Sequence, residues 1–201
     1  LMKEIEFDAN VSIIDPKSDE EESRKDKYAE VFWKQRNRRG ITLLSAKKLM
    51  RERNYFAAMM VNEGDADALI SGYSRSYPTV VKPILELIGL DKGVTRVATT
   101  NLLMTQRGPL FLSDTSINID PDSMDLTTIA NMTATTVKMF GLQPVIAMVS
   151  FSNFGSSEHP SAKKVREAVT YLHKYYPNLI IDGELQTDFA LNNDMLQDIF
   201  P

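Results

Sequence analysis

Val145-Ile146-Ala147-Met148-Val149-Ser150-Phe151-Ser152-Asn153-Phe154-Gly155-Ser156 is an apolar run that breaks into hydroxyls, an amide and a glycine. A short apolar run bounded by turn residues reads as a buried strand, here over 145–151. Residues 161–175 follow as a helix, with Val165, Ala168, Val169 and Leu172 on one side. Leu179-Ile180-Ile181 is one more strand ahead of Asp182-Gly183. Strand, loop, helix and strand in that order build parallel sheets. The sequence therefore predicts an α/β domain whose ligand end is the loop over 150–156.

Working outward, Asp122 and Asp125 open a helix with Leu126, Ile129, Ala130, Val137 and Phe140 on its apolar face, closed by Gly141. Before it, 96–105 and 110–115 read as strands of a hairpin turning across Arg107-Gly108-Pro109. A helix over 79–88 carries Val81, Ile84, Leu85 and Ile88. Ala68-Leu69-Ile70, bounded by Asp67 and Ser71-Gly72, reads as a buried parallel strand. Further upstream, a helix over 55–62 stops at Gly64, and Thr42 caps a helix bearing Leu44, Lys48 and Leu49. The helix over 18–39 starts with Asp19, Glu20, Glu21 and Glu22 and ends with Lys34, Arg36, Arg38 and Arg39. That order complements the helix dipole, Gly40 stops the helix, and Tyr28, Val31 and Phe32 face the core. A strand over 4–14 leads into an Asp15-Pro16 turn, and Met59, Met60, Met132 and Met139 read as core filler.

The chain has 201 residues, 43% hydrophobic and 25% charged, enough for one large domain or two small ones. No apolar run approaches the roughly 20 residues of a membrane span, and no secretory signal opens the chain. Cysteine is absent, which excludes disulfides, thiolate metal sites and cysteine nucleophiles and fits a reducing cytoplasm. A net charge of −4 argues against bulk nucleic-acid binding. With only His159 and His173, histidine-rich metal sites are excluded too. The chain opens on Leu1-Met2 and closes on Phe200-Pro201 without a final element, and is expected to be cut from something longer.

In open α/β sheets ligands collect beyond the carboxyl ends of the strands. Three loops have that place: 71–79, 150–156 and 182–188. Hydroxyls, a flexible glycine and a helix N-terminus can hold an anion such as a phosphate, although plain polar turns use the same residues. Arg36, Arg38 and Arg39 can meet phosphates or simply end a helix, while Arg75 and Lys82 flank the first loop. Asp182, Glu184 and Asp188 can form an acid/base or metal group, or serve only as turn residues. His159 reads as a loop residue and His173 as a surface residue.

Asp15-Pro16, Arg36, Gly40-Ile41-Thr42, Tyr55-Phe56 and Asp67-Ala68-Leu69-Ile70-Ser71-Gly72 form an ordered series. It continues through 114–118, Pro121-Asp122-Ser123, Lys138-Met139-Phe140, the 147–152 strand and Asp182-Gly183-Glu184-Leu185-Gln186. In order and spacing the series resembles the phosphate acetyltransferase family over nearly the whole chain. The resemblance implies a two-subdomain α/β/α architecture like that of isocitrate and isopropylmalate dehydrogenases, incomplete at both ends. Residues 1–93 would belong to the first subdomain and 94–201 to a second, inserted and dimerising one. It also implies a homo-oligomer, dimer or higher, that binds coenzyme A thioesters in a cleft. Arg36 matches the family's coenzyme-binding arginine. Ser71, Gly72, Lys82, Ser150, Ser152, Asn153, Gly155, Ser156, Asp182 and Gln186 are the remaining candidate ligand contacts, with no catalytic and no metal-ligating residue among them.

The chain departs from the enzymes of that family. Thr79-Val80-Val81-Lys82-Pro83 stands where they have Asp-Thr-Leu-Arg-Pro, and lysine cannot make arginine's bidentate contact. Ser152-Asn153-Phe154-Gly155-Ser156 stands for a Ser-Thr-Lys-Gly-Ser type of loop, and the family's late Leu-Ser-Arg-Gly segment is missing. These departures, with Tyr73-Ser74-Arg75-Ser76-Tyr77 and His159-Pro160, resemble the acetyltransferase-like C-terminal domain of hybrid NADP-dependent malic enzymes. That branch implies no catalysis by this chain and acetyl-CoA as an effector. It also implies an N-terminal malic enzyme domain in the same polypeptide, where NADP and Mg or Mn would serve malate oxidation. A fragment of a working phosphate acetyltransferase is the alternative.

Overall fold

The computed structural model describes residues 11–90, 92 and 94–200, which divide into two compact units, Leu1–Asp91 and Lys92–Pro201. Among the described residues no helix is long and apolar enough to cross a membrane.

In the first unit the Asp15-Pro16 turn closes through the Ser18 N–H on the Asp15 carbonyl, 3.0 Å. A short 3-10 turn at Asp19–Glu21 leads into α1, Glu22–Arg36, and a second at Asn37–Arg39 ends on Gly40 at φ 88°. α2 spans Leu43–Leu49, capped by the Thr42 hydroxyl, which accepts from the Ser45 N–H. α3 is Arg53–Asn62 and α4 is Tyr77–Leu87. Tyr28, Phe32, Met50, Tyr55, Phe56, Met59 and Leu87 form the core. Fully buried side chains of this size contribute roughly 1.5–3 kcal/mol each.

The described residues of this unit contain no strand. The expectation of a buried strand at Ala68-Leu69-Ile70 is corrected: these residues are irregular, and Ile70 is 98% exposed. A strand exists only against a partner ladder, and the described residues supply none here. Of the expected strand over 4–14, residues 4–10 lie outside the described residues and 11–14 are irregular.

The second unit opens with β1, Thr100–Thr105, and β2, Gly108–Ser113, antiparallel with Thr105 opposite Gly108 across Gln106-Arg107. The first strand starts later than the sequence suggests. Asp114 ties the approach to it, accepting from the Thr99 N–H, 2.9 Å, and the Asn118 N–H, 2.6 Å. α5, Ser123–Met139, begins with a reciprocal capping box between Asp122 and Asp125. β3, Val145–Val149, pairs in parallel with β4, Ile180–Leu185, and α6, Pro160–Tyr175, joins them. Ala130, Met148, Val165, Ala168, Val169, Leu172 and Ile181 interlock where α5 and α6 cover one face. α7, Thr187–Leu191, and α8, Asn193–Ile199, follow.

Two further expectations change in this unit. Phe140 and Met139 are exposed and outside the core, since α5 ends there at Gly141, φ 72°. The third expected loop, 182–188, is strand as far as Leu185, because pairing with β3 carries the ladder through Asp182-Gly183.

Candidate functional site

The carboxyl ends of β3 and β4 lie side by side: Val149 is opposite Leu185, and the Ser150 N–H donates to the Leu185 carbonyl at 2.9 Å. The loop over 150–159 leaves this point and enters α6. His159 is the N-cap of that helix, its Nδ1 accepting from the Ser161 N–H at 3.2 Å. Proline at the first helical position then costs no hydrogen bond.

Six of the sequence-based candidates meet here. Gln186 receives Asn153 on both sides: Asn153 Oδ1 accepts from the Gln186 N–H at 2.7 Å, and Asn153 Nδ2 donates to Gln186 Oε1 at 3.1 Å. Gln186 Nε2 donates in turn to the Phe151 carbonyl, 2.8 Å. Ser150 Oγ accepts from the Ser152 N–H at 3.4 Å. Ser152 is buried, and its hydroxyl lies 3.0 Å from that of Ser156 and accepts from the Ser157 N–H at 3.1 Å. Ser156 Oγ accepts from the Asn153 N–H, 3.1 Å, and Gly155 turns at φ 88°.

The group around which these close is Glu184, for which the sequence leaves both an acid/base or metal role and a plain turn role open. Glu184 is 0% exposed. Its Oε1 accepts from Ser152 Oγ, 3.1 Å, and from the Gly155 N–H, 2.9 Å, and its main-chain carbonyl accepts from the Phe154 N–H, 2.8 Å. Arg166 of α6 brings Nε to 3.9 Å from Glu184 Oε2 while Nη2 contacts Glu158 at 3.2 Å. The N–H groups of Asn153, Phe154, Gly155, Ser156 and Ser157 all find acceptors inside the loop and β4. They do not form an open anion cradle, and the acceptor at their centre is itself a carboxylate.

Asp182 is not part of this cluster. It pairs opposite Ala147, away from the carboxyl end of the strand, and its Oδ1 accepts from the Gly183 N–H at 2.8 Å. Asp188 accepts from the Phe189 N–H, 3.1 Å. Among the described residues no three histidine or acidic side chains are grouped to hold a metal ion, and of the two alternatives open for Asp182 and Asp188 their hydrogen bonds from the next residue's N–H match the turn role.

The other four candidates lie in the first unit and support α4. Pro83 has no N–H to give the Thr79 carbonyl one helical turn earlier. Asn54 Nδ2 supplies a donor to that carbonyl at 3.3 Å, and Ser71 Oγ donates to Asn54 Oδ1 at 2.8 Å. Gly72, at φ 133°, makes the turn out of this contact. At the other end of α4, Arg36 donates through Nε to the Glu86 carbonyl, 2.8 Å, and through Nη2 to that of Leu85, 3.3 Å. Those are carbonyls a helix end leaves without partners. Lys82 is 68% exposed and stands 4.0 Å from Glu86 Oε1. Tyr55 donates to Glu86 Oε2 at 2.6 Å; burial first, and then that hydrogen bond and charge, push its hydroxyl well above the ordinary tyrosine range.

With strands, loop and helix in this arrangement, comparison with known proteins gives the class. A profile described as phosphate acetyl/butaryl transferase matches residues 2–201, and the chain belongs to that family. Within it, the chain is similar to proteins of two kinds. It is 36% identical over 171 residues to the NADP-dependent malic enzyme of Haemophilus influenzae, covering 85% of this chain and 23% of that one. It is 34% identical over 196 residues to the phosphate acetyltransferase of Thermoanaerobacterium thermosaccharolyticum, covering 94% of this chain and 59% of that one. The fold matches the EutD phosphotransacetylase from Staphylococcus aureus with a TM-score of 0.78 and 30% identity, over 100% of this chain and 61% of that one. The expected α/β class stands. The chain is a phosphate acetyltransferase-like domain related both to malic enzymes, where it corresponds to a small part of a longer polypeptide, and to phosphate acetyltransferases.

Proposed function

We propose that this chain is a regulatory and oligomerisation domain of an NADP-dependent malic enzyme and that it binds acetyl-CoA without transferring the acetyl group. The supporting observation is the closed hydrogen bonding of the loop over 150–156. Acyl transfer to phosphate needs donors aimed at the charge that develops on the reacting oxygen. Here the loop hydroxyls and N–H groups face Glu184 or one another, and Asn153-Phe154, with Asn153 bonded to Gln186, stands where the resemblance expects an enzyme of the family to offer a hydroxyl and a cation. Such a loop can line a binding surface through Phe151 and Phe154, both exposed, while contributing no positive charge of its own.

In this reading malate is oxidised and decarboxylated to pyruvate in an N-terminal malic enzyme domain of the same polypeptide. NADP and Mg or Mn would act there. Among the described residues of this chain no three carboxylates or histidines are grouped. Arg36 remains the residue for the coenzyme's phosphates through the guanidinium donors not turned toward α4.

A second reading, a part of a working phosphate acetyltransferase, is favoured by the 34% identity to the T. thermosaccharolyticum enzyme. Acetyl-CoA titration of the full-length protein separates the two. Binding that changes the rate of malate oxidation, with no acetyl phosphate formed, fits the regulatory reading. Production of acetyl phosphate sinks it in favour of the second.

A further inference from the structure

Glu184 presents an energetic problem that the binding reading leaves open. A carboxylate taken fully out of water is expensive unless paired and hydrogen-bonded. Glu184 is fully buried, yet its Oε2 has no hydrogen-bond partner among the described residues, and the guanidinium nearest to it stands at 3.9 Å. A neutral side chain of the same shape would avoid that cost. The arrangement therefore has to do something that apolar packing cannot.

What it does is visible in the two residues it holds. Phe154 has φ 44° and Gly155 φ 88°, so two consecutive residues sit in the left-handed region. For glycine this is easy, whereas for a bulky side chain it is a true outlier that persists only when its surroundings enforce it. Glu184 holds both from one position: its main-chain carbonyl takes the Phe154 N–H, and its carboxylate takes the Gly155 N–H and the Ser152 hydroxyl. Arg166 closes the other side. A Cβ on Gly155 would come within 2.7 Å of Arg166 Nη1, so the guanidinium lies directly against the glycine.

We propose that Glu184 is the positioning residue of this loop, with Arg166 as its counter-charge. It clamps Ser152, Phe154 and Gly155 in the strained shape that leaves the Phe154 ring partly exposed, edge-on to Phe200 at 5.0 Å, and sets Asn153 against Gln186. The consequence for ligand rests on the acetyl-CoA reading: the clamp presents the loop to the acyl-coenzyme preformed, so no ordering cost falls on binding.

The test uses the full-length protein with Glu184→Gln, which keeps an oxygen acceptor, and Glu184→Ala, which removes it. Glu184→Asp, charged but one methylene too short, stands in if the alanine variant does not fold. Hydrogen exchange at the Phe154 and Gly155 amides and acetyl-CoA affinity by calorimetry are read on each. The alanine or aspartate variant is expected to speed loop exchange and weaken acetyl-CoA, each by about tenfold, the scale of one or two lost buried hydrogen bonds. The glutamine variant is expected to restore both to near wild type. Unchanged exchange in Glu184→Ala overturns the clamp, as does faster exchange with unaltered affinity, or a glutamine variant as impaired as alanine. If the wild-type protein does not bind acetyl-CoA, the functional reading falls, and the exchange rates alone decide the clamp.

Discussion

Gly183 has φ 133°, and a Cβ built on it would lie 2.6 Å from the Met148 carbonyl oxygen, a backbone atom with nowhere to move. At Gly141, φ 72°, nothing stands within 4 Å. Both positions disfavour a side chain, but only the first adds a collision. Gly183→Ala is expected to destabilise the second unit by about 2–4 kcal/mol, from overpacking added to backbone strain. Gly141→Ala should cost about 1 kcal/mol, from strain alone. Chemical denaturation of both variants checks the contrast, and equal losses would show that the collision relaxes. Asp114 offers a test of a different kind. Burial works to raise its pKa, but hydrogen bonds from Thr99 and Asn118 outweigh that and hold the carboxyl well below its ordinary 3.8. A depressed folded-state value means its stabilisation is complete above 3.8 and fades as pH falls below that toward the folded value. Asp114→Asn should therefore flatten the acid limb of the stability curve and leave a constant deficit at neutral pH, measured by urea unfolding from pH 7 to 2.

At the scale of elements, local chemistry was readable and long-range pairing was not. The Asp122/Asp125 box, the Thr42 cap and the stops at Gly40, Gly64 and Gly141 all depend on residues within a turn of one another, and the structure has each of them. Asp122→Ala is expected to cost about 1 kcal/mol in thermal or chemical unfolding, the usual value of a lost N-cap. Leu172→Ala, in the core between α5, α6 and the β3–β4 sheet, should cost about 2–5 kcal/mol. Ala68-Leu69-Ile70 had the composition of a strand but finds no ladder among the described residues, and composition cannot announce that. Asp182-Gly183 looked like the end of a strand, yet β3 carries the pairing on to Leu185. The candidate loop showed the same division. Its hydroxyls, amide and glycine were evident, but the place of Glu184 beneath them was not, because an acid beside a glycine suggests a solvated turn. Its burial comes from Ser152 and Gly155, about thirty residues earlier in the chain. The structural partners of Ser71 and Arg36 were equally hidden: nothing local says that Pro83 leaves the Thr79 carbonyl in need of the Asn54 amide that Ser71 holds, or that two donors of Arg36 reach the Leu85 and Glu86 carbonyls some fifty residues on.

For the whole molecule, family membership fixes the fold more firmly than the chemistry, since one fold can host different activities. The chain spans about a quarter of the malic enzyme it resembles and about three-fifths of the acetyltransferase. The central claim is that this domain binds acetyl-CoA and has lost acetyl transfer, and calorimetric titration of the full-length protein with acetyl-CoA addresses it most directly. Malate oxidation and acetyl phosphate formation are followed on the same samples. The account predicts saturable binding, a changed rate of NADP-dependent malate oxidation, and no acetyl phosphate. Acetyl phosphate formed from acetyl-CoA and inorganic phosphate, or no binding at all, would contradict it.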